Sequence, residues 1–481
     1  MVAMSPVTAK LVCLSGLAAT HAFVAPSAGR CGTLPLVVDR RTCDSSAVLR
    51  MSDSGSASGD GDDKPFVFPR SMLKKNKLEI PHGIGVGTMA WGDEEAGFVS
   101  DPKYKPKPGE FNPADLQGAY NALIGAGITL FDTSDVYGYK SAEAGLSAEH
   151  LLGRFAEENP AGRPIVAGKY MPILWTKFLI GGPWRAGRRA VAKAAIRTLE
   201  RGGWAYLDLY QASFRFVHFP FPYLGGMDAM AEGLAAVCDR GLCRSVGVSN
   251  FNAKQLRAFA EKLKKYDITL ASNQFEFSLV NQDKAEDGTL DECKRLGVTP
   301  IAHTPLAKGL ATGLYTASNP TGGKMGSPKY NFKDLMPLAP VHAALVEVQK
   351  RVEGRLGAEA KEEQKRAFEE LEDGEEQAPP PVPKKVSTTQ VAINYVRAKG
   401  LVPIPGVKTR AHADEVVGCL GWWLQQDDVD ILDAAYDAYK VTTKGKTIKR
   451  GKERDIMKRQ TVTFKRNRSW TSDPNFFDDD D

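Results

Sequence analysis

Eight strand-like apolar segments alternate with helical patterns along most of this chain, and this alternation limits the fold more than any single motif. The strand candidates lie at 83–87, 128–132, 164–169, 206–212, 244–249, 270–275, 299–304 and 401–405. The helical patterns between them cover 113–126, 146–158, 188–201, 227–240, 252–264, 284–296 and 387–398. Strands that are joined by helices pair in parallel, and eight such units can close on themselves. We therefore expect an α/β fold, a (β/α)8 TIM barrel rather than an open doubly wound sheet.

Several other classes of protein are disfavoured. The glycine-rich start at 83–88 lacks the G-x-G-x-x-G spacing of a Rossmann phosphate turn. A formal charge of +5 is small for 481 residues and argues against nucleic acid as the main partner. No apolar run reaches the 18 or more residues of a membrane span. We predict no metal site, because the cysteines of the body, Cys238, Cys243, Cys293 and Cys419, have neither CxxC spacing nor a nearby His.

The barrel pattern spans 76–440 as a single domain, and the sequence on both sides of it has a different character. Residues 1–51 are predicted to be a presequence and 52–75 a flexible polar linker. The segment 316–386 separates the seventh strand from its main helix and is predicted to be an insertion. It contains a charged helix at 346–376, expected to be solvated, and a Pro-rich, partly disordered stretch. Residues 441–481 form a charged tail.

The first residues have the shape of a targeting signal. Lys10 precedes a short apolar stretch at 11–19, which small residues follow. The segment 22–26, Ala-Phe-Val-Ala-Pro, resembles the Phe-centred cleavage motif of bipartite presequences in algae with secondary plastids. We expect a signal peptide plus transit peptide and a location in the plastid stroma. Secretion is the alternative, although the cysteine usage of the body shows no disulfide framework.

The second strand ends in the segment 131–138, Phe-Asp-Thr-Ser-Asp-Val-Tyr-Gly. It places the carboxylate of Asp132 and the phenol of Tyr137 on one loop, at the barrel face where such folds carry their chemistry. Taken alone, the segment is equally consistent with a helix-capping Asp and an ordinary half-buried Tyr.

Five motifs follow successive strands: FDTSDVYG, VGVSNF, NQFEFS, AHTPLAKGLATG and IPGVKTRAHADE. In this order they make the chain resemble an aldo-keto reductase from about Leu78 to Asp437, apart from the insertion. The resemblance implies reduction of an aldehyde or ketone by hydride transfer, with Tyr137 as general acid, Lys169 beside it and Asp132 as the counter-ion of the lysine. A free Tyr has a pKa near 10 and needs a nearby cation to act at neutral pH. Taken alone, Lys169 fits a surface lysine at a strand end better than a catalytic residue.

The fourth-strand motif departs from the family pattern. Asp208-Leu209-Tyr210-Gln211-Ala212-Ser213 places Ser213 where the family has a His that positions the carbonyl oxygen. A hydroxyl can donate a hydrogen bond but cannot carry the charge of an imidazolium. His218 is a possible surrogate, or simply packs among the aromatic residues around it.

The resemblance implies an NADPH site. Ser249, Asn250 and Gln274 match the positions that bind the carboxamide. His303 stands where an aromatic ring stacks on the nicotinamide, and the alternative is a His packed in the core.

Thr304, Leu306 and Lys308 match the loop that contacts the pyrophosphate. The cationic and hydroxyl side chains of Lys408, Thr409 and His412 match the 2′-phosphate region and favour NADPH over NADH, although Val416 replaces an adenine-binding Asn.

Substrate contacts are expected from Met89, Trp91 and Phe214, for which packing at the barrel rim is the alternative. We expect a small carbonyl substrate, with no indication of oligomeric state. Two other functions stay open. One is a catalytically weak, NADP(H)-binding regulatory or partner protein on the same barrel, which Ser213, the insertion and the tail suggest. The other is pyridoxal reduction, an activity that the resemblance to plastid relatives suggests.

Overall fold

Eight parallel strands in sequential order form the centre of the protein. The computed structural model describes residues 78–172, 187–213, 226–321, 330–369 and 385–443. The strands are β1 Gly85–Gly87, β2 Leu130–Asp132, β3 Ile165–Tyr170, β4 Leu209–Ser213, β5 Val246–Ser249, β6 Leu270–Glu276, β7 Thr299–His303 and β8 Val402–Ile404. Each strand pairs with the next, and the Gly87 amide donates to the Pro405 carbonyl at 3.0 Å, which joins β8 to β1. The predicted (β/α)8 barrel is confirmed.

Helices surround this sheet on its outer side. They are α1 Pro113–Gly125, α2 Ala148–Glu158, α3 Gly187–Gly202, α4 Gly226–Asp239, α5 Ala253–Lys264, α6 Asp283–Glu286, α7 Thr289–Leu296, α8 Phe332–Leu335, α9 Ala339–Glu369, α10 Thr388–Ala398, α11 Arg410–Val417 and α12 Gln426–Thr443. Within the described ranges, no helix is both long and apolar enough to cross a membrane. The four cysteines of the same ranges are buried and form no disulfide with one another.

The alternation of side chains along the strands separates an apolar and a polar half of the barrel interior. The apolar half is filled by a small buried cluster with members from six strands: Leu130, Ala167, Leu209, Ala271, Ile301, Val402 and Ile404. Two residues further along their strands, Asp132, Lys169 and Gln211 share the same face as Leu130, Ala167 and Leu209. The polar side chains are thus brought together at the carboxyl end of the barrel.

Two helical predictions need correction. The pattern at 284–296 predicts one helix, but Gly288 adopts a left-handed φ of 77° and separates α6 from α7. The charged helix predicted at 346–376 corresponds to α9, which begins earlier, at Ala339. The first half of α9 has a buried face and is not solvated on all sides. Its buried residues recur every three or four positions, which is the stripe of a packed helix: Val341, Leu345, Val348 and Val352.

The presequence, the linker and the tail beyond 443 lie outside the described residues, as do Phe214, His218 and the Pro-rich stretch at 378–384. The domain boundaries at these points remain predictions.

Candidate active site

Lys169 connects Asp132 and Tyr137 at the carboxyl end of β2 and β3. Its Nζ donates to Asp132 Oδ2 at 3.0 Å and to the Tyr137 hydroxyl oxygen at 3.0 Å. All three side chains are at least nine-tenths buried. The three residues that the family resemblance implies therefore form one hydrogen-bonded unit inside the barrel.

The charge of Lys169 is stabilised by these two partners. Burial by itself lowers the pKa of the ammonium, but the charge of Asp132, the Tyr137 oxygen and both hydrogen bonds outweigh it, so the pKa of Lys169 lies above its usual range. The lysine is therefore a fixed cation, 3.0 Å from the phenol oxygen. A cation at this distance stabilises negative charge that develops on the oxygen when its proton leaves.

Hydrogen bonds from side chains to backbone carbonyls hold the Tyr137 loop in place. Thr88 Oγ1 donates to the Asp132 carbonyl at 2.9 Å, and Ser134 Oγ donates to the Lys169 carbonyl at 3.1 Å. Gly138 has a φ of 63°, and a Cβ there would lie 2.4 Å from the Trp91 carbonyl oxygen. The turn after Tyr137 therefore requires a glycine for both conformation and space.

Trp91 does not occupy the position that the sequence suggested. Its ring is fully buried and lies 5.8 Å from the ring of Phe155 and 6.3 Å from that of Phe131. The indole N–H donates to the Val407 carbonyl at 2.8 Å. The side chain has no surface from which to contact a substrate, and we remove it from the candidate substrate residues. Met89, which is half-buried, stays a candidate.

The second oxygen of Asp132 accepts from two amides. Gln274 Nε2 lies 2.6 Å from Asp132 Oδ1, and Gln211 Nε2 lies 3.2 Å from the same atom. A carboxylate only accepts, so both amide nitrogens must face it, which fixes the orientation of the two side chains. The sequence reading assigned no role to Gln211. Its position two residues after Leu209, on the inner face of β4, was the available signal.

Ser213 lies at the carboxyl end of β4, two residues beyond Gln211 and in register with Ser249 of β5. It is buried, with 1% of its surface exposed. Among the described residues, the side chain at the end of this strand is thus the hydroxyl of Ser213. Phe214 directly follows it and lies outside the described residues.

Ser249, Asn250 and His303 form a second polar group on the ends of β5 and β7. Asn250 Nδ2 donates to Ser249 Oγ at 2.9 Å, and His303 Nε2 lies 3.1 Å from Asn250 Oδ1. Since Oδ1 only accepts, His303 Nε2 carries a proton, and in a neutral ring Nδ1 then accepts from Thr304 Oγ1 at 3.1 Å. His303 is half-buried at the strand end rather than in the core.

The loop after β7 has an unusual backbone. Thr304, Ala307, Lys308 and Gly309 have φ values of 58°, 45°, 62° and 106°. Two side chains from 330–342 contact its carbonyls: the Tyr330 hydroxyl donates to Lys308 at 2.9 Å, and His342 Nε2 lies 3.0 Å from the Leu310 oxygen. Burial lowers the pKa of His342 even though this carbonyl raises it, which favours the neutral ring near pH 7. Leu306 is half-buried and Lys308 exposed.

The segment 408–412 begins helix α11 after β8. Thr409 caps the helix, with its Oγ1 3.4 Å from the His412 amide nitrogen, and His412 is exposed. Lys408 Nζ donates to the Ala96 carbonyl at 2.6 Å, so this ammonium joins the loop after β1 to the end of β8. Of the three residues expected near a 2′-phosphate, Lys408 is thus already engaged with backbone.

These groups fit a nicotinamide dinucleotide. Ser249, Asn250 and Gln274 provide hydroxyl and amide groups, which suit a carboxamide that both donates and accepts. The first N–H groups of α11 and the exposed Lys308 suit phosphate. Among the described residues, no group of three or more His, Cys, Asp or Glu is arranged to hold a metal ion.

The chain is similar in sequence to known proteins. A sequence model of the Aldo/keto reductase family matches residues 83–437. The chloroplastic pyridoxal reductase of Arabidopsis thaliana is 28% identical over 369 residues, which cover 76% of this chain and 85% of that protein. The L-glyceraldehyde 3-phosphate reductase of Escherichia coli K12 is 29% identical over 216 residues, 44% of this chain and 58% of that protein.

A solved structure is similar in fold. The glycerol dehydrogenase of Gluconobacter oxydans superposes with a TM-score of 0.51 at 20% identity, covering 77% of this chain and 97% of that protein. Together with the family match over most of the chain, the barrel establishes the class of the protein. The chain belongs to the aldo/keto reductase family and is an oxidoreductase that uses a nicotinamide cofactor.

Proposed function

We propose that the protein reduces an aldehyde or ketone to an alcohol with NADPH, with Tyr137 as the proton donor. The observation that carries the proposal is the placement of Lys169 Nζ, 3.0 Å from both Tyr137 OH and Asp132 Oδ2. When bound, NADPH supplies the hydride for the carbonyl carbon. Tyr137 donates its proton to the carbonyl oxygen, Lys169 stabilises the resulting phenolate, and Asp132 balances the charge of Lys169. A proton from solvent then restores Tyr137.

The proposed cofactor contacts follow the polar groups along the barrel rim. Gln274 Nε2 is committed to Asp132, so its Oε1 is the atom left to accept from the carboxamide, beside Ser249 and Asn250. His303 provides a flat face for the nicotinamide ring. Thr304, Leu306 and Lys308 contact the pyrophosphate, and Thr409 and His412 the 2′-phosphate. The bond from Lys408 to Ala96 supports an anchoring role for that side chain instead.

The proposed substrate is a small carbonyl compound. Met89 contributes apolar contact, and the buried hydroxyl of Ser213 donates to the carbonyl oxygen. A relative described as a chloroplastic pyridoxal reductase makes pyridoxal one reasonable compound to test. The same relative, together with the features of residues 1–51, supports a plastid location.

NADPH oxidation with a panel of aromatic and aliphatic aldehydes, pyridoxal included, tests the proposal. We expect turnover that Tyr137→Phe lowers by about 10²- to 10⁴-fold, without change in NADPH affinity. Equal rates for the wild type and Tyr137→Phe across the panel would contradict the role of Tyr137.

The second candidate, a weakly catalytic partner protein that binds NADP(H), is favoured by Ser213 at the end of β4. It predicts tight NADPH binding with turnover slower than roughly one per minute, well below the usual enzyme range. Replacement of the exposed Glu362 and Arg366 of α9 by Ala should then reduce recovery of a partner in a pull-down from plastid extract, without removing the buried part of the helix. Faster turnover on any carbonyl in the panel excludes this candidate.

A further inference from the structure

The loop at 304–313, called here the cofactor loop, has a backbone that needs external support. Thr304, Ala307 and Lys308 are not glycines, yet all three have positive φ values. Such conformations cost free energy and persist only where surrounding contacts hold them. Within the loop, the Gly309 amide donates to the Leu306 carbonyl at 2.8 Å. The carbonyls of Lys308 and Leu310 are instead bound by side chains from outside the loop.

Those side chains come from residues 330–355, called here the brace segment. Tyr330 and His342 each bind one carbonyl, at 2.9 and 3.0 Å, and both are more than nine-tenths buried. The ring of Tyr330 also lies 5.5 Å from that of Tyr315, just after the cofactor loop. A Cβ on Gly309 would lie 2.8 Å from Tyr315, so this packing is close.

The brace segment is itself fixed to the barrel. Leu345 and Val348 are fully buried on one side of α9. Arg351 Nε donates to Asp428 Oδ1 at 3.0 Å, and Arg355 donates to the same carboxylate from the next turn of the helix. Asp428 is fully buried in α12. The contacts to the cofactor loop therefore start from a rigid support.

We propose that the brace segment is a positioning element that holds the cofactor loop in its binding conformation and slows the release of NADPH. The inference rests on the proposed function, which assigns the pyrophosphate to this loop. A loop that is ordered before binding loses less conformational entropy on binding, and its ligand binds more tightly. The part of the chain that looked like a solvated insertion thus acquires a role in cofactor binding.

Stopped-flow fluorescence of NADPH with full-length Tyr330→Phe and His342→Phe tests the proposal. Each variant removes one hydrogen bond to a loop carbonyl and keeps a ring in place. We expect the NADPH dissociation rate to rise about five-fold for each, with association little changed. The KM for the carbonyl substrate should stay near the wild-type value. Met336→Ala is the matched control, because this side chain is 55% exposed in the same segment and should leave release unchanged.

Wild-type release rates in both variants, with only a lower melting temperature, would make the contacts merely structural and overturn the proposal. Hydrogen exchange of the wild type gives a second test that needs no variant. We expect NADPH to slow exchange both at 304–313 and at 339–348, whereas protection limited to 304–313 contradicts the coupling. If the wild type binds NADPH but reduces no carbonyl, the proposed function fails, and the release rates still decide the role of the brace.

Discussion

Lys169 Nζ lies 3.0 Å from the hydroxyl oxygen of Tyr137, and 5.2 Å from the centre of its ring. The two residues are 32 positions apart in sequence, at the ends of adjacent parallel strands. This contact joins the loop motif after β2 to an otherwise unremarkable lysine at the end of β3. It is the structural basis of the proposed proton donor.

Replacing Lys169 by Met should destabilise the fold by about 3 kcal/mol, because Asp132 then stays buried without its counter-ion. The pH dependence of this loss follows from the raised pKa of Lys169. The lysine contributes fully below its unfolded pKa of about 10.4 and loses this contribution as pH rises through the higher folded value. In denaturant unfolding, the difference in the free energy of unfolding between wild type and variant should be constant from pH 6 to 10. Above pH 10 this difference should become smaller. A difference that grows above pH 10 would contradict the assignment.

Gln211→Met should lower the turnover number about ten-fold. Methionine keeps the length of the side chain but removes one of the two amide donors to Asp132 Oδ1. Steady-state kinetics at saturating NADPH measure the effect. Ser272→Ala is the matched control, since Ser272 Oγ is a buried neighbour with no hydrogen-bond partner among the described residues. Equal turnover in Gln211→Met and Ser272→Ala would remove Gln211 from the site.

Two changes near β8 separate cofactor selectivity from loop anchoring. His412→Ala should weaken NADPH binding about five-fold and leave NADH binding unchanged, because only NADPH carries the 2′-phosphate. Lys408→Met should alter the binding of both cofactors by the same factor, since its ammonium is engaged with Ala96. Titration of tryptophan fluorescence gives both dissociation constants. A selective loss of NADPH in Lys408→Met would instead assign the phosphate to Lys408.

Asp428→Asn should detach α9 from α12. The change removes the charge that holds two arginines and should cost about 1.5–3 kcal/mol. Limited proteolysis should then cleave faster within 339–369 than in the wild type, while Asp430→Asn serves as the exposed control on the same helix, since its hydrogen-bond partner is Gln426 of α12 itself. Equal cleavage of the two variants would show that the ion pairs do not hold the helix.

The barrel was predictable from sequence because each strand is a short apolar run, whereas apolar residues recur every three or four positions in each helix. Asp132, Tyr137 and Lys169 could be predicted together because the family resemblance implies all three. Since strand ends of a parallel barrel share one face, the three can meet there. Gln211 was missed although the alternation along β4 places it inward beside Leu209. The family motif assigns a role only to the position of Ser213.

Other errors came from interactions that the local sequence does not encode. Trp91 follows β1 and looks like a rim residue, but Phe131 and Phe155 bury it from two other elements. The charge of α9 predicts exposure to solvent, but its apolar stripe is buried in the core. Its arginines pair with Asp428, some 75 residues away in the sequence. The assignment of Lys408 to the 2′-phosphate rests on its charge and stays a prediction. Its hydrogen bond to the Ala96 carbonyl is a contact that no sequence pattern marks.

The central claim is that Tyr137 and Lys169 act as one proton-donating unit, and a double-mutant cycle of hydride transfer tests it most directly. Single-turnover oxidation of NADPH should be measured for wild type, Tyr137→Phe, Lys169→Met and the double variant. We predict that each single change slows the step by about 10²- to 10⁴-fold and that the double variant is no slower than the slower single one. Losses that multiply in the double variant would show that the two side chains act independently and would contradict the account.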